Sequence, residues 1–508
     1  MRPPVVSLAS PSTADSVRAV TGIRKRASCR LGGFVAVVGG AVVLRVIAGV
    51  GFANYDTLYA LAWGGQAAQG ETPAYGVPIA PTPHPLLELF GIVLRPLSAH
   101  AEIEAIVWLG FLALAGCGWV LFRLGRQWFG TAAGVLAALL FVSRVPVISY
   151  GVRAYLDVPY VLLVLWALLI ASRRPRAWAP VLGLLALAGL LRPEAWVFSG
   201  LYWLYLVGLV PRRLRAHLPQ GEPLRGRAPL VKVTLLAAAA PIVWLGSDLL
   251  VTGNPLWSLT NTRHTASALD RRTGIANVPE YVPRRIGEVL QAAALAGAAV
   301  GAVLSLWWLR ARALVPALGA ALAVVIFAAF AAIGLPINTR YAFLAAAFGC
   351  LFCGAAVFGW TKLRREDRRR RPWMAAGALV VLALVVTAPS QYRSAHRELR
   401  KLARQERIEG DLEALVAAHA ISLRCGPVGV PNHAPIPLLA LYLRASPTRI
   451  VSAQVGHIDR GVYVDPAGSE VEDDYVLDQN DPHEAVSVPP GFTPAATNRS
   501  WLIFHRCS

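Results

Sequence analysis

Long apolar runs separated by short polar segments dominate the first four hundred residues. The first run begins at Leu31 and lasts about 20 residues, the length of a helix that crosses a bilayer. Further runs occupy 101–122, 130–146, 156–171, 178–191, 194–210, 233–251, 287–309, 313–334, 341–361 and 373–389. Together they predict about eleven membrane helices. No small-residue cleavage site follows the first run, so it reads as a retained span and not as a signal peptide. In the polar interval that follows, Leu58, Leu61 and Ala62 share one helix face and predict a short helix lying on the membrane interface. The prolines from Pro73 to Pro85 forbid a helix there, and Leu86 to Leu97 reads as a short re-entrant or tilted piece.

Beyond 390 the pattern changes. Residues 394–418 are charged with helical spacing, and β-like runs follow at 427–431, 449–454, 461–465, 474–478 and 500–506, with a helix at 436–444. The chain thus divides into a basic tail at 1–30, an α-helical polytopic membrane domain at 31–389 and a small water-exposed α/β domain at 390–508. Four segments lie at the same end of the helices as that domain: the loops 52–100, 143–156 and 252–286, and the domain itself.

Composition agrees with the pattern. Of 508 residues 56% are hydrophobic and only 15% charged, more apolar than a soluble domain of ordinary composition. The formal charge is +20, which in a soluble protein would point to nucleic acid. Here the basic residues cluster between apolar runs, so they set topology; no nucleic-acid partner is expected. Arg123 and Arg126, Arg173 to Arg176, Arg212 to Lys232, Arg310 and Arg312, and Lys362 to Arg371 all fall on the side of the basic N-terminus. The positive-inside rule makes that side cytoplasmic and places the C-terminal domain outside, in a bacterial plasma membrane. Cys425 and Cys507 flank the domain and form a disulfide candidate in an oxidising compartment. Cys350 and Cys353 lie in an apolar run and read as packing residues.

Acids are scarce in the membrane region, and three fall at a similar depth near the outer side: Asp56, Asp157 and Glu194. Ionisable residues there face a bundle interior or a watery cavity and are functional candidates. Each also has a structural reading. Asp157 suits a helix cap and Glu194, after Arg192-Pro193, suits a helix start. Asp56 follows the end of the first helix, where the dipole disfavours an acid, which makes it the best candidate for chemistry. Arg45, within that helix, either snorkels outward or pairs with one of these acids. Several arginines break the charge rule by lying outside, among them Arg144, Arg153, Arg192, Arg263 and Arg340. They meet lipid headgroups or form an anion site, where guanidinium matches phosphate with a bidentate fork.

The order of these residues resembles a known family. Asp56, then Tyr59, a helix-like stretch ending at Gly70, and Pro83-His84-Pro85-Leu86 are similar to the first periplasmic loop of GT-C glycosyltransferases. The nearest group is the protein O-mannosyltransferase and lipid A aminoarabinose transferase relatives, family 39-type. Leu124 to Gly130, Tyr155-Leu156-Asp157, Leu190 to Glu194 and Asn338 to Tyr341 resemble later motifs in the same order. Two positions depart from the pattern: Thr57 stands where many relatives have a second acid, and Pro83-His84 where several have Lys-Pro.

The resemblance implies a polyprenyl-phosphate sugar as donor, used at the outer leaflet on a hydroxyl of a lipid, glycan or protein. Such a reaction needs a carboxylate base for the acceptor, stabilisation of an oxocarbenium-like sugar and cations for the departing phosphate. Asp56 is the expected general base of an inverting displacement, with Asp157 and Glu194 orienting the acceptor or tuning arginines. Arg340 and Arg192 are the leading phosphate contacts, ahead of Arg153 and Arg263, with Tyr59, Tyr341 and His84 completing the substrate site. No cofactor is called for, and a divalent cation bridging Asp56 and a phosphate is the one candidate ion. A transporter or flippase of lipid-linked sugar is the competing reading. A GT-C-like protein whose tail grips a polymer, through an acidic patch such as Glu470 to Asp474, is a third.

Overall fold

The structure is a computed structural model that describes residues 13–209, 227–476 and 488–507. The extreme N-terminus, most of the arginine-rich loop 212–232 and the end of the run at 474–478 lie outside the described residues. In chain order the helices are α1 (Thr13–Ala48), α2 (Tyr55–Ala68), α3 (Pro85–Leu94), α4 (Ala99–Trp128), α5 (Thr131–Val142) and α6 (Val145–Val152). They continue as α7 (Asp157–Arg173), α8 (Trp178–Leu191), α9 (Glu194–Val207), α10 (Arg227–Thr252) and α11 (Trp257–Ala268). The last are α12 (Val278–Trp308), α13 (Arg310–Ala332), α14 (Phe343–Phe358), α15 (Arg370–Ala417) and α16 (Ile436–Tyr442).

Every apolar run expected to span is helical. Among the described residues seven helical stretches are long and apolar enough to cross a membrane, or eight if α5 and α6, bent by 62°, make one span. Helices α7, α8 and α9 have 17, 14 and 14 residues, short of the roughly 20 of a full span. Length alone therefore accounts for seven or eight of the eleven expected spans. Small residues set the helix contacts, because lipid gives apolar side chains little reason to associate and close backbone approach must do so instead. A Cβ on Gly301 of α12 would stand 1.8 Å from the Phe352 carbonyl of α14, and one on Gly64 of α2 would stand 2.2 Å from the Glu88 carbonyl of α3.

Two expectations about the first polar interval need correcting. Helix α2 does not lie on the bilayer surface, since Thr57 to Gln66 are all buried. Its apolar face is covered by α3 and by α16 of the C-terminal domain, so protein, not lipid, takes the place of water. Second, Asp56 does not sit at a helix C-terminus. The chain turns after Ala48 and restarts, so Asp56 lies in the first turn of α2, where the dipole favours an acid. Arg45 stands 3.8 Å from Glu104 and over the Phe111 ring, so its partner is none of the three candidate acids.

Helix α15, at 48 residues, runs unbroken through 390 and carries the chain from the bundle into the C-terminal domain. That domain holds a five-stranded sheet of order β2-β1-β3-β5-β4, formed by Val428–Val430, Ile450–Ser452, Gly461–Pro466, Thr493–Thr497 and Trp501–Arg506 for β1 to β5. Strand β1 pairs in parallel with β2 and β3, whereas β5 is antiparallel to β3 and β4. The strand expected at 474–478 is instead a helical turn over Glu472–Val476. Glu472, Asp473 and Asp474 are poor strand formers, and Asp474 pairs with Arg404 of α15 at 2.6 Å. Strand β4 was not legible beforehand: Thr-Pro-Ala-Ala-Thr is exposed and lacks alternation. Cys425 and Cys507 form the expected disulfide, Cα atoms 4.9 Å apart. Cys350 and Cys353 are buried free thiols inside α14. Leu61 and Trp63 of α2 share one apolar core with Leu438 and Leu439 of α16 and Trp501 of β5, which locks domain and bundle together.

Candidate active site

Three acids and two arginines converge at the end of the bundle that carries the C-terminal domain. Asp56, Asp157 and Glu194 each occupy the first turn of a helix, in α2, α7 and α9. His84 is the N-cap residue of α3. Four helix N-termini thus face one region, and their partial positive charges favour anions there.

None of the three acids caps its own helix. The cap of α2 is Asn54, whose Oδ1 accepts from the backbone N–H of Asp56 at 2.9 Å and of Thr57 at 3.3 Å. Asn54 Nδ2 also donates to the Arg153 carbonyl at 2.9 Å, and Thr57 Oγ1 donates to the Ala154 carbonyl at 3.0 Å. The entry to α2 is thereby stitched to the α6–α7 turn, where Ala154 takes a positive φ of 50°. With capping done by Asn54, the Asp56 carboxylate turns away and accepts from Arg340 Nη1 at 2.7 Å.

Arg340 precedes α14 and lies over the rings of Tyr155 and Tyr341, centroids 5.1 and 5.5 Å away. Arg192 is held in an extended backbone by the following Pro193, φ −150° and ψ 128°, and lies over the Tyr341 ring at 3.9 Å. Its guanidinium pairs with Asp157 on one side and Glu194 on the other. One guanidinium thus faces two carboxylates, which leaves the clamp with an excess of negative charge. Asp157 Oδ2 has no hydrogen-bond partner and lies 3.9 Å from Arg340 Nε.

A cavity of about 280 Å³ opens between these groups. Its polar end is lined by Asp56, His84, Asp157, Glu194, Arg192 and Arg340, with Tyr341 beside them. The rest of its lining is mainly apolar, supplied by Trp196, Trp244, Leu256, Leu259, Phe330 and Ile333, with Asp248, Ser258, Thr262 and Thr265 among them. Arg271 also lines it, a further outer arginine that the sequence does not single out. Nothing in the local pattern distinguishes Arg271 from Arg272. Only the turn after α11 turns Arg271 inward, and four carboxylates, Asp56, Asp157, Glu194 and Asp248, then line the cavity together with three guanidinium groups.

Electrostatics separate the ionisable groups. Burial works to raise the Asp56 carboxyl, but the Arg340 guanidinium outweighs it and holds the group below the ordinary carboxylate value. His84 is buried between charged neighbours, and burial foremost pushes its imidazole down to about 3. It is therefore neutral at working pH, its Nδ1 buried without a hydrogen-bond partner and its ring edge-on to Trp244 at 5.6 Å.

Other expected site residues lie elsewhere. Tyr59 is fully buried in an aromatic column, ring centroids 5.0 Å from both Tyr55 and Trp63, and does not line the cavity. Arg153 sits behind the wall, over Tyr150 and Tyr155 and hydrogen-bonded to Ser149. Tyr155 thus lies between Arg153 and Arg340. Arg263 donates to the Ile333 carbonyl and braces the loop at Gly334, outside the cavity. As for the candidate ion, no three or more His, Cys, Asp or Glu side chains among the described residues are grouped so that they could hold a metal ion.

Comparison with known proteins bears on this geometry. Residues 84–222 match the sequence model of the family described as dolichyl-phosphate-mannose-protein mannosyltransferase. No protein of curated description matches the chain. Among solved structures it is similar to ArnT from Cupriavidus metallidurans bound to undecaprenyl phosphate, with TM-score 0.55, 14% identity, and 93% of this chain and 98% of that one covered. The apo state of the same ArnT gives TM-score 0.52 at 14% identity, covering 94% and 98%. At that identity the likeness establishes the fold, and it extends over nearly the whole of both chains. The GT-C architecture implied by the outer-loop motifs is the one found.

Proposed function

We propose that this chain, a multi-pass membrane protein of GT-C fold, is a glycosyltransferase that moves a sugar from a polyprenyl-phosphate donor to an acceptor hydroxyl. The observation that carries the reading is one cavity whose lining joins a cluster of carboxylates and arginines to walls of tryptophan, leucine and phenylalanine. A polyprenyl-phosphate sugar has that polarity. The relatives agree: the family match names a lipid-linked mannose donor, and the ArnT structure of the same fold holds undecaprenyl phosphate.

In this reading the isoprenoid lies against Trp244, Trp196 and Leu259, and the phosphate meets Arg340 and Arg271. Arg192 is already paired twice, so its part is to hold Asp157 and Glu194 in place more than to bind phosphate. Asp56 takes the proton of the acceptor hydroxyl as that oxygen attacks the anomeric carbon. The C–O bond to phosphate breaks as the new one forms, and a single displacement inverts the centre. Charge develops on the departing phosphate, and arginines preorganised on tyrosine faces stabilise it without further reorganisation. Asp157 Oδ2, unpaired in the cavity wall, accepts from a substrate hydroxyl. Neutral His84 serves as a hydrogen-bond group, not as a counter-charge to phosphate.

The reaction belongs on the outer face of a bacterial plasma membrane. Support comes from the positive-inside pattern and from the Cys425–Cys507 disulfide, which forms in an oxidising compartment. The test is incubation of purified protein with a panel of polyprenyl-phosphate sugars and candidate acceptors, with released polyprenyl phosphate read by mass spectrometry. Release with one donor supports the reading and names the sugar. Reconstituted vesicles that move the lipid-linked sugar across the bilayer, with no bond broken, would favour the flippase instead.

A further inference from the structure

Outside the cavity, a stripe of positive charge lies on the part of α15 beyond its apolar run. Arg393, Arg397, Arg400, Arg404 and Arg407 follow one another at i, i+4, i+7, i+11 and i+14, so they form a stripe along one face of the helix. Lys401 adjoins it. The stripe starts where the apolar part of α15 ends. Just before it Leu382, Val385 and Val386 are exposed, as befits lipid contact, and Tyr392 is 72% exposed, the position of an interfacial aromatic.

Against Val145, the first residue of α6, this face encloses a groove of about 580 Å³ lined by Ser394, Arg397, Glu398, Arg400, Lys401 and Arg404. Its one carboxylate, Glu398, accepts from Ser149 Oγ at 2.7 Å. Arg404 is committed to Asp474. Among the described residues Arg397 reaches Ser394 Oγ, at 3.4 Å, and leaves most of its five donors open. The groove therefore sets Arg397, Arg400 and Lys401 against the single carboxylate of Glu398, a cup with net positive charge, at the polar edge of the membrane and apart from the apolar walls of the cavity.

We infer that this groove binds the phosphate of an anionic lipid headgroup in the leaflet that faces the C-terminal domain. Guanidinium forks match phosphate oxygens, basic residues are drawn to anionic lipid headgroups, and the exposed valines and Tyr392 below accommodate the acyl chains. The floor of the groove touches the wall of the active site. Ser149 Oγ, which donates to Glu398, also accepts from Arg153 Nη2 at 2.9 Å, and Arg153 stacks on Tyr155, the ring that Arg340 also approaches. Glu398 in the groove is thus linked through Ser149, Arg153 and Tyr155 to Arg340, the partner of the proposed base. The inference stands apart from the glycosyl-transfer reading, because its test is binding and not turnover.

The experiment is native mass spectrometry of the full chain in a neutral detergent, supplied with phosphatidylglycerol or phosphatidylcholine. Wild type should retain phosphatidylglycerol in preference to phosphatidylcholine. The triple variant Arg397→Gln, Arg400→Gln, Lys401→Gln should lose at least five-fold of that retention at an unchanged melting temperature. A charge-keeping variant, Arg397→Lys with Arg400→Lys, should keep most of it and so guards against misfolding as the cause. Equal retention of both lipids by wild type, or full phosphatidylglycerol retention by the triple variant, would overturn the site. Displacement of the lipid by millimolar glycerol phosphate would overturn the lipid as occupant.

Discussion

The Asp56 carboxylate, the proposed base, owes its setting to residues that are not themselves acids. Asn54 does the capping, Thr57 ties the turn to Ala154, and the carboxylate is left to Arg340. Because Arg340 keeps the Asp56 group depressed against the pull of burial, the base is ionised across the neutral range and is lost only as pH falls through that lowered value. Removing the guanidinium leaves burial opposed only by the lesser influence of His84 and Arg271. In Arg340→Gln the acid limb of the pH–activity profile should therefore move to higher pH, beyond any fall in rate; an acid limb left in place would mean that Arg340 does not set the ionisation of the base. The sequence singled out three of the acids that line the cavity and mistook the setting of Asp56. Asp56 was read against a helix C-terminus, because the five-residue break between Ala48 and Asn54 and the restart at Tyr55 leave no hydrophobic signal. Arg192 and Arg340 were legible as misplaced outer arginines. Their division into a clamp and a base partner was not, since it depends on contacts 35 and 284 residues apart.

At the scale of elements, short backbone distances hold the site more than long side chains do. Helix α3, which begins at His84 and Pro85, is pressed against α2 at Gly64 and Gly91, where added Cβ atoms would come within 2.2 and 2.8 Å of carbonyl oxygens on the opposite helix. Gly64→Ala should cost about 1–3 kcal/mol of stability and push His84 away from Asp56, seen as a lowered melting temperature together with weakened donor binding. Both unchanged would mean that the α2–α3 contact is looser than the structure has it. The elements themselves were readable wherever hydrophobic periodicity was long, which is why each expected apolar run proved helical. Where the signal was short it failed. A buried α2 and an interfacial α2 share one amphipathic pattern, and only the C-terminal domain above it decides between them. Acidic residues 472–474 could satisfy a strand or a turn, and the ion pair with Arg404 selects the turn.

For the whole molecule, bundle and C-terminal domain behave as one body. Helix α15 joins them without a break, and the core of the domain continues into the residues around α2. The disulfide closes a loop of sequence separation 82, from just before β1 to just after β5. In the chain-entropy picture it contributes roughly 4 kcal/mol. Cys425→Ser, or reduction, should lower the domain's unfolding midpoint and, through α16 on α2, reduce activity; a midpoint unchanged by reduction would show that the sheet is stable without it. The fold class was legible because composition, loop charge and ordered motifs all pointed the same way. The domain's β4 was not, nor the joint core, which is made by residues hundreds of positions apart.

The central claim is that Asp56 is the base of a sugar transfer from a polyprenyl-phosphate donor. The most direct measurement is polyprenyl phosphate released by wild type and by Asp56→Asn, with donor binding measured on both. The account predicts release by wild type, a fall of about 10²–10⁴-fold in the variant and donor affinity within a few-fold of wild type. Full release by a correctly folded Asp56→Asn would contradict it and remove Asp56 from the chemistry.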